Sequence, residues 1–194
     1  MQISERKLAL SLAVLALVQL PGCAAVAVTG IAAGASAIVD RRTAGAMVED
    51  EGIELKAVQA LSVDKDLNSQ THLNVTSFNT VVLVTGEAPT EGLRNRAIDI
   101  VRNLPKVSHV HNEITVAAPS ALMSRSSDTV ITSKVKTKML ADSNIQGVHV
   151  KVVTENGVVY LMGILSRAEG DSASEIARQT GGVQKVVKLF EYRD

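Results

Sequence analysis

The chain is built from two copies of one pattern. Val81-Val82-Leu83-Val84-Thr85-Gly86 matches Val158-Val159-Tyr160-Leu161-Met162-Gly163 at an offset of 77 residues. With slips of one residue, Ile53, Leu61, Asp64 and Leu67 fall on Ile131, Met139, Asp142 and Ile145. Ala97, Ile100, Arg102, Val107 and Val110 likewise fall on Ala173, Ile176, Arg178, Val183 and Val186. Slips confined to loops are what a duplicated domain accumulates, and an internal repeat decides the architecture before any local pattern does.

Each copy predicts the same order of elements. Apolar residues spaced by four, at Ile53, Ala57, Leu61 and again at Ile131, Val135, Met139, mark the inward stripe of a first helix. Asp128 is placed to cap the second of these helices. Two strands follow, joined by tight turns at Asn79-Thr80 and Asn156-Gly157, residues that tolerate positive φ between alternating apolar runs. A second helix is expected over about Glu91 to Asn103 and Arg167 to Thr180, then a last strand over Val107 to Val116 and Val183 to Tyr192. The fold class is therefore α+β: two tandem α-β-β-α-β domains, each a three-stranded mixed sheet with two helices on one face.

That order, with Gly86 and Gly163 closing the second strand and Gly182-Val183 with Val186 entering the third, resembles the BON domain. Both glycines are read as structural, placed for positive φ or close backbone approach where the chain swings toward a helix. A phosphate-cradling loop needs several glycines opening a helix, which neither site has.

The N-terminus adds an address. Arg6 and Lys7 precede an apolar stretch from Leu8 to Leu20, and Leu20-Pro21-Gly22-Cys23 resembles a bacterial lipoprotein box, in which the cysteine is acylated. Cys23 is the only cysteine of the chain, so acylation leaves no thiol for a disulfide, a metal or a nucleophile. The competing reading is an uncleaved anchor helix, since Leu8 to Val39 is almost wholly apolar or small and exceeds the roughly 20 residues of a bilayer span. The lipoprotein resemblance and Ala24 after the cysteine together imply the inner leaflet of the outer membrane, facing the periplasm. The expected organisation is a signal peptide at 1–22, a membrane-proximal tail at 23–48, one BON domain at 49–118, a linker at 119–126 and a second BON domain at 127–194.

Two such domains behind a lipobox, with Asp40-Arg41-Arg42-Thr43 and Gly45 between, resemble dual-BON outer-membrane lipoproteins. The resemblance implies a non-enzymatic protein that supports outer-membrane integrity. It further implies that one BON domain binds anionic phospholipid, such as phosphatidylglycerol or cardiolipin, and locates the protein at the division site.

Composition narrows the chemistry. With two Phe, two Tyr and no Trp, aromatic stacking on bases is nearly excluded. Equal numbers of basic and acidic residues, 20 of each, argue against bulk attraction to nucleic acid. Charge is unevenly divided: Glu49 to Val116 holds six Lys/Arg against ten Asp/Glu, whereas Ser126 to Asp194 holds nine against eight. The second copy is the one suited to an anionic surface. His109 and His111 alternate on a strand and share a face, but no cysteine or matched carboxylate accompanies them, so they read as surface residues and no metal or cofactor is expected. No Gly-x-Ser-x-Gly elbow exists, and no catalytic residue is assigned.

The candidate site is the first helix of the second copy. Val130, Lys134 and Lys138 form a stripe beside the buried one, an apolar contact flanked by ammonium groups whose stems can snorkel while the charges meet phosphate. The expected anionic-lipid site is Val130, Ser133, Lys134, Thr137 and Lys138, while Lys136 points to the far side. In the first copy the matching stripe is Gly52, Lys56 and Ala60 among Glu49, Asp50, Glu51 and Glu54, which the same surface repels. Relatives in the resembling family carry a tryptophan where this chain has Val130, which implies a more charge-dependent contact here. The alternative function is a protein-docking adaptor for periplasmic or outer-membrane assembly machinery, using the acidic first domain or a sheet edge.

Overall fold

The computed structural model describes residues 40–119 and 122–193; Cys23 and the expected signal peptide at 1–22 lie outside the described residues. The first copy runs α1 (Ala44–Val63), α2 (Lys65–Gln70), β1 (His72–Phe78), β2 (Val81–Ala88), α3 (Glu91–Arg102) and β3 (His109–Val116). The second runs α4 (Leu122–Ala141), a 3-10 turn (Gly147–His149), β4 (Lys151–Glu155), β5 (Val158–Leu165), α5 (Arg167–Arg178) and β6 (Lys185–Tyr192). Each sheet has its second strand in the middle, antiparallel to the first and parallel to the third, so both are mixed.

Local chemistry fixes these boundaries. Thr43 caps α1 by accepting from the Ala46 N–H, Thr90 caps α3 through Leu93, and Ser166 with Glu169 forms a reciprocal capping box on α5, each satisfying N–H groups that a helix start leaves unpaired. Both hairpins turn on residues with positive φ, 52° and 65° at Asn79 and Thr80, and 48° and 74° at Asn156 and Gly157. The short α2 has no counterpart in the sequence reading; Asp64 caps it, accepting from Asp66 and Leu67.

Three expectations change. Asp128 does not cap a helix: α4 begins at Leu122, inside the stretch read as a linker, and Asp128 lies within it, buried. Its carboxylate instead accepts 2.8 Å hydrogen bonds from the Asn156 and Gly157 N–H groups of the hairpin. Gly86 and Gly163 do not close their strands, because pairing continues to Ala88 and Leu165. Close approach is nonetheless their role: a Cβ on Gly86 would lie 1.9 Å from the His72 carbonyl oxygen, and one on Gly163 2.7 Å from that of His149.

Helices cover one face of each sheet. Ile53, Ala57 and Leu61 of α1 and Leu93, Ala97 and Val101 of α3 pack on Val82, Val84 and Ile114. Ile131, Val135 and Met139 of α4 and Ala173 and Ala177 of α5 pack on Val152, Val159 and Leu161. The opposite faces meet each other: Phe78 and Leu83 form one core with Tyr160 and Met162. The described residues thus form a four-layer sandwich, helices, sheet, sheet, helices, with α1 and α4 on opposite outer faces.

Polar contacts register the two sheets. The hairpin Asn79 Nδ2 donates to Glu191 of the second domain at 2.9 Å, and the hairpin Asn156 Nδ2 donates to Glu87 of the first. Glu155 accepts from Asn74 at 2.8 Å and Thr85 at 3.3 Å. Burial pushes the Glu155 carboxyl above its usual range and the Glu87 charge adds to this, against the Asn74 bond. A strap at the start of the described chain ties both halves. Arg41 forms a bidentate pair with Glu169 at 2.6 and 2.9 Å and donates to the Ile164 carbonyl at 2.8 Å. Arg42 bonds Asp50 at 2.9 Å and stacks 4.4 Å from the Phe78 ring centroid. The Arg41 hydrogen bond holds the Glu169 carboxyl down to about 2.

Candidate lipid-facing helix

The outer face of α4 is set by the burial of its inner one. Once Ile131, Val135 and Met139 enter the core, the flank carrying Val130, Lys134 and Lys138 is left facing solvent, while Thr132 on the other flank bonds Thr154 of β4. Val130 is 52% exposed, and Ser133, Lys134, Thr137 and Lys138 are exposed with it. These five residues, joined by Thr129, line one shallow depression of ≈440 Å³.

Hydrogen bonding makes that depression apolar despite its composition. Thr129 Oγ1 donates to the Arg125 carbonyl at 3.1 Å, Ser133 Oγ to Thr129 at 2.9 Å and Thr137 Oγ1 to Ser133 at 2.9 Å. Each hydroxyl turned back onto its own helix leaves methyl and methylene groups outward. Thr129 was missed in the sequence reading; the signal was the four-residue ladder of hydroxyl side chains at 129, 133 and 137. Of the two flanking cations, Lys138 donates to the Gln179 carbonyl at 3.1 Å, at the C-terminal end of α5, where a positive charge is favoured. Lys134 makes no ion pair among the described residues. Lys136 lies on the other flank of α4 and lines a separate cleft.

The first copy presents a different surface: at the positions matching Val130, Lys134 and Lys138, Lys56 is exposed while Gly52 and Ala60 are half-buried. Leu55 is 70% exposed on α1, and Val48, Val58 and Val63 are exposed on the same helix. His109 and His111 stand edge to face, ring centroids 4.6 Å apart; among the described residues no group of three metal-ligating side chains assembles.

Two α-β-β-α-β units joined through their sheets, with a cationic and apolar helix face outermost, define a tandem-repeat α+β protein built around surfaces. The BON domain family matches residues 49–118 and 127–194, and the chain belongs to that family, as a dual-BON outer-membrane lipoprotein. It is 34% identical over 189 residues to the outer membrane lipoprotein DolP of Haemophilus influenzae, covering 97% of each chain. It is 39% identical over 154 residues to a 21 kDa hemolysin of Actinobacillus pleuropneumoniae, covering 79% of each. Osmotically-inducible protein Y of Escherichia coli is 32% identical over 145 residues, 73% of this chain and 72% of that one.

Proposed function

We propose that this protein is a non-enzymatic, lipid-reading module: acylated at Cys23, it binds anionic phospholipid through Val130, Ser133, Lys134, Thr137 and Lys138. By that contact it supports outer-membrane integrity and concentrates at the division septum. The supporting observation is the depression on α4, whose hydroxyls are spent internally and whose rim carries two lysines. An apolar patch with flanking ammonium groups suits the headgroup boundary, the aliphatic surface entering and each charge near an anionic surface contributing about 1 kcal/mol.

Cosedimentation of the unacylated protein with phosphatidylglycerol or cardiolipin vesicles, and with neutral vesicles, tests this at low and physiological salt. Binding confined to anionic vesicles and weakened by salt is expected. Unchanged binding by a Lys134→Glu, Lys138→Glu double variant would falsify the assignment.

A second reading, docking of outer-membrane assembly machinery, draws on the exposed aliphatic residues of α1 on the opposite face. Loss of a periplasmic partner by Leu55→Glu, with vesicle binding intact, would support it.

A further inference from the structure

The outer face of α1 carries an apolar stripe that no described residue covers. Val48, Leu55, Val58 and Val63 are all exposed on this one helix. Single exposed aliphatics need no explanation, but four along one helix make the kind of surface that marks a contact site. Their positions also keep a period of seven. With Gly45, Gly52 and Gln59 at the a positions, Val48, Leu55 and Ser62 fall at d. The buried Asp50, Ile53, Ala57 and Leu61 then occupy b, c and f, on the far side of the helix. The inner stripe belongs to the core of the first domain, and a second seam faces outward.

Gly52 is unexpected where it stands. It lies inside a helix of 20 residues, where glycine is among the poorest formers. Its φ is not positive, and a Cβ there would meet nothing within 4 Å. Neither a turn nor crowding within the chain therefore calls for a missing side chain. On the outward seam it leaves a notch between Val48 and Leu55, through which the backbone of a second helix can approach.

The flanks of the seam select the occupant. In a parallel pair of helices the residue at g of one chain meets the residue at e in the next heptad of the other. For two copies of α1 that rule sets Glu51 against Lys56 of the second copy, and Val58 against its Val63. Glu51 and Lys56 are exposed and make no ion pair among the described residues. Opposed helix directions would bring e to e and g to g and separate both matches. A parallel pair also starts both copies of α1 at the same end, as two lipoproteins moored in one leaflet require.

We propose that α1 is the seam of a parallel two-fold homodimer, with Val48, Gly52 and Leu55 at its centre and Glu51–Lys56 pairs at its rim. The interface is isologous, each match occurring twice about the axis. It leaves α4, on the opposite outer face, free in both copies. Glycine and glutamine at the a positions keep the apolar seam thin, so association is weak in solution and gains from confinement on a membrane.

Sedimentation equilibrium of the unacylated Cys23→Ser protein tests this, with variants altered only at exposed positions and checked for an unchanged melting temperature. Expected is a monomer–dimer equilibrium with a Kd on the order of 100 µM, weakened about tenfold or more by Leu55→Glu. Glu51→Lys alone and Lys56→Glu alone each weaken it about threefold or more. An equimolar mixture of those two restores it, because each copy then supplies the charge the other lacks. Gly52→Cys in the same background forms a disulfide between copies, since position 52 faces itself across the axis. A chain still monomeric at about 1 mM overturns the proposal. Association untouched by Leu55→Glu puts the contact on another surface and overturns it too, and a mixture that restores nothing overturns the parallel register. A monomer whose α1 binds a periplasmic protein, with that binding lost in Leu55→Glu, gives the face to the docking reading instead.

Discussion

Asp50 and Asp128 hold the same station in the two domains, each buried within a first helix and each clasping the hairpin of its own sheet. Asp50 accepts from the Asn79 and Thr80 N–H groups at 2.8 Å and from Ser77 Oγ at 2.7 Å. Asp128 accepts from Asn156 and Gly157. The turns have left-handed φ at both central residues, so their N–H groups converge on one point, and a carboxylate from the covering helix meets them there. Burial opposes ionisation of Asp50, but the bonds from Ser77, Thr80, Asn79 and Arg42 outweigh it and its carboxyl ends below the usual range.

Replacing Asp128 by Ala strands the two turn N–H groups under α4. A buried donor left unpaired costs about 1–3 kcal/mol, so the variant loses about 3 kcal/mol in urea unfolding. Asp99→Ala, at an exposed surface pair, loses less than about 0.5 kcal/mol. Because the sheets share one core, unfolding of both domains follows one transition.

Stability responds to pH through two glutamates of opposite sign. Glu155 has a folded pKa above its unfolded value, so its contribution is full below the unfolded value and is lost as pH rises through the raised one. Glu155→Gln therefore raises the melting temperature at pH 7–8 and flattens its dependence above the ordinary carboxyl range. Glu169, at about 2 against 4.5, contributes above 4.5, and this is lost as pH falls toward 2. Glu169→Gln lowers the melting temperature at neutral pH and removes that acid limb. Melting curves from pH 2 to 8 on both variants check the signs, and identical profiles would refute the pairing.

Val130 lines the depression on α4 as an aliphatic of modest reach. Val130→Trp adds an amphipathic ring at the headgroup level and tightens vesicle binding by roughly tenfold, about 1.4 kcal/mol. It also makes that binding less sensitive to salt. Vesicle titration across ionic strength measures both, and a tryptophan variant with unchanged affinity would place the contact away from Val130.

The repeat made most of the fold legible. Four-residue spacing placed the buried stripes of α1 and α4, and Asn-Thr and Asn-Gly placed the hairpins. Residues 122–127, Leu-Met-Ser-Arg-Ser-Ser, show no apolar period, which makes Asp128 resemble an N-cap although it lies inside α4. The repeat held the correction, since Asp50 lies three residues before Ile53 as Asp128 lies three before Ile131. The packing of sheet on sheet was legible only in part. The uninterrupted run Val81-Val82-Leu83-Val84 suits a strand buried on both faces, but nothing local says that the second cover is the other copy. The Asn74–Glu155 contact was beyond reach, since those residues meet only through the docking of two domains.

The Arg41-Arg42 strap decides how mechanical load enters the molecule. Among the described residues, a pull arriving from the N-terminal side reaches Arg41 and Arg42 before α1. One guanidinium is locked onto Glu169 in the second domain and the other onto Asp50 and Phe78 in the first. Tension is therefore shared between the halves instead of falling on the outermost turn of α1, and a leash attached in this way tugs the sandwich as a single block without peeling it open.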